Sequence, residues 1–244
     1  DLLFLKSRSA TYLHYRFDSV RGPTKRFTNT TGAESTTSTE LISFDADGFT
    51  VGSDVGTNQS GGSMVAWCWD AGSGSPVSNT DGSITSTVKA NPAYGFSVVT
   101  YTGTGANATV GHSLGVQPKM IITKRRDAVT NWGVASTLWA DKKQLVLNEA
   151  DALSATNNNL GVQSDWTTSV FTVGTEGDQN ASGGTFVSYC FANSDIIKAG
   201  SYTGNGSSDG PFVFTGGKVQ WLMIKRTDNA RNWVMFDDAR DPFN

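Results

Sequence analysis

The chain repeats itself. "SGGSMVAWCWDAG" at residues 60 to 72 returns as "SGGTFVSYCFANS" at 182 to 194, placing the two cysteines, Cys68 and Cys190, 122 residues apart. The same offset carries Phe49-Thr50-Val51-Gly52 onto Phe171-Thr172-Val173-Gly174, and Asn58 onto Asn180. Upstream, Lys6 falls on Lys124 and Lys25 on Lys143 at an offset of 118. The difference is absorbed near "SATNNNLG" (154 to 161), a polar stretch that reads as a loop. A second comparison sets "YTGTG" (101 to 105) against "YTGNG" (202 to 206), an offset of 101. It carries "MIITKRRDAVTNW" (120 to 132) onto "LMIKRTDNARNW" (222 to 233), with Lys124 on Lys225 and Trp132 on Trp233. The end also matches the beginning, from Lys225 on Lys6 through Phe236 on Phe17 to Arg240 on Arg21. A chain that writes one unit several times must build that unit several times. The division expected is 1–92 for a first copy without opening strands, 93–196 for a complete copy, and 197–244 for the first part of a third.

Within the complete copy the apolar period is that of strands. "GFSVVTYTG", "KMIITKR", "NWGVAST", "KQLVLN", "SVFTVG" and "GTFVSYCFA" are short and rich in β-branched and aromatic residues, with Gly, Asn and Asp turns between them. Asp-Gly at 47–48 and 81–82 and Gly-Gly at 61–62 and 183–184 are tight-turn signals. Only "NEADALSA" (148 to 155) has helical spacing, enough for a turn or two. About seven short strands per hundred residues predict an all-β fold of tandem β-sandwich modules, jelly-roll-like or otherwise. Alternation predicts that Val65, Trp67 and Trp69 share one face, with Ala66 and Cys68 on the other. Both cysteines are expected to be small buried hydrophobes on matching strands, unbonded to each other.

Composition narrows the functional classes. Charged residues make up 17%, against about 25% in ordinary globular chains. A formal net charge of −3 provides no basic footprint for nucleic acid or an anionic membrane. No apolar run approaches the roughly 20 residues of a membrane-spanning helix, so membrane insertion is not expected. Asp1 stands where an initiator Met is expected, which reads as a slice of a longer chain. An incomplete copy at each end predicts either extension beyond both ends or strands supplied by neighbouring subunits.

Chemistry-bearing patterns are sparse, and no cofactor is expected. Asp45, Asp47 and Asp54 resemble a calcium cluster, yet Asp47 becomes Ser169 in the second copy, so a hairpin turn is the better reading. No metal site and no catalytic residues are assigned. Asp237 and Asp238 are adjacent and would face opposite sides of a strand, while Glu149 and Asp151 lie in a polar turn region. His14 and His112 accompany no nucleophile motif, and His14 takes the position of Trp132 and Trp233, which suggests packing. "GTGANATVG" and "GNGSSDG" lead into strands rather than the helix a phosphate loop requires. The basic cluster Lys124-Arg125-Arg126 recurs as Lys6-Ser7-Arg8 and Lys225-Arg226; a solvated strand end is the default reading, and the recurrence points instead to a salt bridge with Asp18 and Asp237 inside each copy. Trp139 and Trp166 sit among polar residues and are the candidate binding aromatics, able to stack a sugar or anchor a partner.

The assembled repeat resembles a family of repeats in virion structural proteins of marine, cyanophage-like bacteriophages, found in large fibre or appendage chains. The carrying segments are "FDSVRG", "LISFDADGFTVGS" with "VAWCW", "GHSLGVQPKMIITKRR", "GSYTGNGSSDGPFVFTG", "MIKRTD" and "MFDDARDPFN". The resemblance implies a non-enzymatic virion component, part of a tail fibre or similar surface appendage, used in adhesion and host recognition. Its partners would be other virion proteins, copies of itself, or a host-surface glycan. A carbohydrate-binding β-sandwich module and a capsid decoration protein are the alternatives, with a polysaccharide depolymerase third.

Overall fold

The computed structural model describes residues 1–154 and 161–240. The chain is nearly all β, and the six strand-like segments of the central copy all form strands. In order they run β1 (Leu2–Ser7), β2 (Tyr15–Asp18), β3 (Lys25–Thr28), β4 (Ser35–Thr36), β5 (Leu41–Phe44), β6 (Phe49–Val51), α1 (Val55–Asn58) and β7 (Met64–Trp69). The central stretch continues with β8 (Val77–Asn79), β9 (Ser86–Asn91), β10 (Phe96–Thr102), β11 (Ala108–Gly111), β12 (Met120–Arg125), β13 (Gly133–Ser136) and β14 (Leu145–Val146). After these come β15 (Val170–Val173), α2 (Gly177–Asn180), β16 (Thr185–Phe191), β17 (Trp221–Ile224) and β18 (Val234–Asp237). Helix among the described residues is confined to α1, α2 and one 3₁₀ turn at Gln163–Asp165. Residues 148–154 form turns and bends instead of the helical turn their spacing suggests. The loop expected at 154–161 falls mostly outside the described residues.

Sequence-equivalent strands pair in equivalent registers. One sheet runs β4-β3-β2-β1-β7, and a larger one runs β14-β13-β12-β16-β10-β9-β8. Leu2 faces Asp18 in the first sheet, as Met120 faces Ser136 in the second and Trp221 faces Asp237 in the β17–β18 hairpin. Likewise Leu2 faces Trp69 while Met120 faces Phe191. α1 and α2 fall at corresponding positions, and the turns before β7 and β16 each use a left-handed glycine, Gly61 (φ 70°) and Gly183 (φ 72°). The strands β8 and β9, within 1–92, hydrogen-bond into the larger sheet beside β10.

The larger sheet is covered on both faces, and so is the β1–β2 part of the first, which explains strands as continuously apolar as "LLFL" in β1. On one side of the larger sheet, Val99, Tyr101, Ile121, Phe186 and Cys190 pack against Val110, Phe171 and Val173 of the β11–β15 layer. On the same side of the first sheet, Leu3, Leu5 and Phe17 pack under the β5–β6 hairpin. The opposite faces meet in a shared apolar centre. Leu2, Phe4 and Trp67 enter it from the first sheet, Ile122, Val187, Tyr189 and Phe191 from the second, and Trp221, Trp233 and Met235 from the final hairpin. Val65, Trp67 and Trp69 do share this face, as alternation requires.

One cysteine differs from expectation. Cys190 is buried, but Cys68 is exposed. Beside β16 lies β10, with Ser97 opposite Cys190. Among the described residues β7 pairs with β1 alone, so Cys68 is left on an uncovered edge. Both thiols are free.

Candidate interaction site

Chemistry-bearing side chains gather where the copies meet. The stretch after β3 carries its main-chain carbonyls outward, and the second copy seizes them. Trp132, just ahead of β13, donates Nε1–H to the carbonyls of Thr28 and Thr30, both at 3.1 Å. Lys124 of β12 donates Nζ to the carbonyls of Thr31 (3.0 Å) and Thr130 (2.7 Å). Two backbone bonds close the joint: Thr130 N–H to Thr31 O at 3.0 Å, and Glu34 N–H to Arg126 O at 2.8 Å. Lys124 is fully buried without a carboxylate bound to its ammonium, and burial pulls its pKa down to about 8. The carbonyl dipoles take the place of an acid partner.

The same joint occurs again. Trp233 donates Nε1–H to Val146 O at 2.9 Å, and Lys225 donates Nζ to Ala150 O at 3.2 Å. Arg231 N–H donates to Ala150 O at 2.7 Å, and Leu153 N–H to Thr227 O at 2.9 Å. Each of these donors or acceptors is the repeat-equivalent of its counterpart in the first joint, allowing one residue of insertion before Ala150. Two copies of one sequence therefore grip two successive segments with one set of atoms.

A second contact also recurs. Asp18 accepts Nε of Arg21 at 2.5 Å and the hydroxyl of Tyr189 at 2.8 Å. At the corresponding place Asp237 accepts Nε of Arg240 at 2.5 Å and Nε1 of Trp67 at 3.1 Å. The first links the second copy to the first, and the second links the first copy to the third. This corrects the salt bridge expected from the sequence: Asp18 and Asp237 pair with arginines three residues on, while Lys6, Lys124 and Lys225 bind carbonyls.

Where the first copy faces the third, the receiving side of the joint borders an open cleft. Lys6 and His14 hold the places of Lys124 and Trp132. The cleft, of about 390 Å³, is walled by these two with Arg8, Trp67, Met235 and Arg240. His14 lies parallel to Trp67 (ring centroids 6.5 Å, 13° between planes), and the Arg240 guanidinium sits 5.1 Å from the centre of the Trp67 ring. Burial, with help from Arg16, Lys6 and Arg240, lowers the His14 pKa to about 4, so its ring is neutral at pH 7. Partial burial opposes ionisation of Asp237, but the Arg240 and Trp67 hydrogen bonds outweigh it and hold the carboxyl below its ordinary range.

The full length, residues 1–244, matches a family model described as a domain of unknown function, DUF7483. The chain belongs to this family. No curated protein and no solved structure shows a significant match.

The sequence-derived aromatics do not converge. Trp166 is 2% exposed, inside the core with Phe171 and Leu114, and has no ring face open to a ligand. Trp139 is half-buried against the shared centre and donates Nε1–H to Lys143 O. Asp45 accepts the hydroxyls of Ser43 and Thr50, its amide closes the β5–β6 turn on Gly48, and Asp54 caps α1 through Gly56 N–H. No group of three or more potential metal-ligating side chains occurs among the described residues. Sequence reading missed the joints because their acceptors are main-chain carbonyls. The recurrence of Trp132 and Trp233 with Lys124 and Lys225 was the one signal that could have found them.

Proposed function

We propose that this DUF7483 chain is a structural component of a bacteriophage virion, part of a tail fibre or similar appendage that serves adhesion and host recognition. The observation that carries the reading is the recurrent joint. Lysine, tryptophan and arginine–aspartate pairs lock one copy of the repeat against the next. Such a scaffold is suited to presenting surface over distance. The sequence resemblance to virion repeats points the same way.

Immunogold labelling of purified virions with antibody raised against this chain tests the reading. Gold on a projecting appendage is expected. Gold over the shell would favour a capsid decoration protein, and particles free of gold would overturn the proposal.

A further inference from the structure

We infer that the cleft between Lys6, His14, Trp67 and Arg240 is a third, open joint, and that its occupant is an extended peptide segment of this same repeat, of the kind that follows β3 and β14. The inference goes beyond the virion reading and survives its failure, because nothing in it depends on where the chain resides.

Three lysines hold equivalent places, and two of them direct an ammonium donor across a joint. Lys225 spends one donor on the carbonyl of the next residue in its own chain, Arg226, and one on Ala150 O of the neighbouring copy. Lys124 divides its donors in the same manner, between its own Thr130 and the neighbour's Thr31. Lys6 makes the equivalent local bond, to Ser7 O at 2.7 Å, but its second acceptor is its own Ala10 O at 3.2 Å. An ammonium has three donors, so Lys6 retains the capacity its two counterparts direct across a joint. His14 stands where two tryptophans donate to the incoming carbonyls. As a neutral imidazole it too carries one N–H.

The cleft's far wall supports the same occupant. Met235 and Arg240 belong to the third copy. In the first and second copies the strand after this stretch, β3 or β14, is the one that the next joint seizes. A segment of that type laid beside Met235 would bring its carbonyls towards Lys6 and His14, continuing an interface already formed twice. The lining also complements it in charge: Lys6, Arg8 and Arg240 face a segment whose exposed polarity is that of carbonyl oxygens. An anionic oligosaccharide would meet the same cations, but no joint on this molecule displays such a partner, whereas two display the peptide.

The probe is an N-acetylated synthetic peptide of residues 25–34, KRFTNTTGAE, titrated into the 244-residue chain and followed by NMR at the Trp67 indole N–H and the amides of Ser7 to His14. The expected result is a saturable shift of these signals. Lys6→Met should weaken binding at least about tenfold, the scale of a lost charged hydrogen bond. A second measurement leaves the protein untouched: replacing the Thr31 carbonyl of the peptide with a thioamide, a poorer acceptor, should weaken binding several-fold. Absence of saturable shifts at millimolar peptide would overturn the inference. So would binding indifferent to both changes, or an acidic oligosaccharide that moves the same signals where the peptide does not.

Discussion

The hydroxyl of Tyr189 donates to the carboxylate of Asp18 at 2.8 Å, across 171 residues of chain and with both side chains fully buried. Arg21 completes the set, reaching Asp18 through Nε and Tyr189 through Nη2 at 3.2 Å. Burying an ion pair is tolerable only when its remaining lone pairs and protons are met; Glu34 and the Arg21 amide meet some of them, and Tyr189 meets others from the neighbouring copy. Folding of the first copy is thereby tied to docking of the second.

Removing that hydroxyl should therefore cost more than a surface hydrogen bond. Tyr189→Phe is expected to lower unfolding free energy by about 2 kcal/mol, the range for a hydrogen bond to a charged group. Asp18→Asn should cost more, about 3 kcal/mol, because the buried Arg21 then keeps Glu34 as its one counter-charge. Urea denaturation measures both. A Tyr189→Phe loss under about 0.5 kcal/mol would contradict the coupling.

Arg16 presents the opposite case. Its guanidinium is 4% exposed as a residue and lies between the rings of Phe4 (4.8 Å) and Trp132 (4.6 Å), with Nε and Nη1 unpartnered. Burial lowers its pKa to about 10 despite the opposing influence of Tyr189. The repeat-equivalent residues are Val134 and Met235. Arg16→Met should leave stability unchanged or raise it, since the desolvation cost goes and only a cation–π contribution of about 2 kcal/mol or less is lost. A fall in the thermal midpoint corresponding to more than about 2 kcal/mol would show that the cation is needed.

Acid should weaken the fold before the carboxylates titrate. His112 is buried, accepts Leu114 N–H on Nδ1 at 3.2 Å and places Nε2 3.3 Å from Thr167 O, an arrangement that only the neutral ring satisfies. Burial lowers its pKa to about 4, as it does for His14. Unfolded, both rings take up protons near pH 6.5, so between about 6.5 and 4 the unfolded state binds more protons than the folded one. Stability contributed by the neutral rings is present above that window and lost as pH falls through it, by up to roughly 3 kcal/mol for His112. Urea midpoints compared at pH 8, 6 and 5 should decline; a flat profile would refute the assignment.

The two thiols should separate cleanly. Cys68 is exposed, although partial burial raises its pKa, while Cys190 is enclosed and its pKa is pushed up to about 12 by burial. Ellman's reagent should find one fast thiol per native chain, absent in Cys68→Ser, and two after unfolding. A second fast thiol in the native protein would place Cys190 elsewhere.

Much of the architecture was legible because strands advertise themselves through side-chain alternation. "GTFVSYCFA" divides as it must, with Phe186 and Cys190 to one side and Val187, Tyr189 and Phe191 to the other. Neighbourhood was less legible. Cys68 repeats Cys190 in sequence but lacks its flanking strand, so like residues acquired unlike environments. Lys124 read as a solvated strand end because its partners, the carbonyls of Thr31 and Thr130, leave no mark on residue identity. Trp166 looked exposed among polar neighbours, yet polar neighbours in sequence say little when the chain folds a side chain under Phe171. The Asp18–Arg21 and Asp237–Arg240 pairs are legible as "FDSVR" and "FDDAR", with acid and base three residues apart on a strand end and the turn after it.

In the joint, beside the Glu34–Arg126 ion pair, one copy contributes the lysine ammonium and the tryptophan N–H, and its neighbour meets these two donors with backbone oxygens alone. Oxygens of that kind survive almost any substitution. A gene encoding such a repeat can therefore diversify the carbonyl-bearing loop under selection from a changing environment while docking persists, provided that loop keeps its path. Duplication of a copy would likewise arrive with its attachment chemistry already in place, leaving length and surface free to evolve on separate clocks.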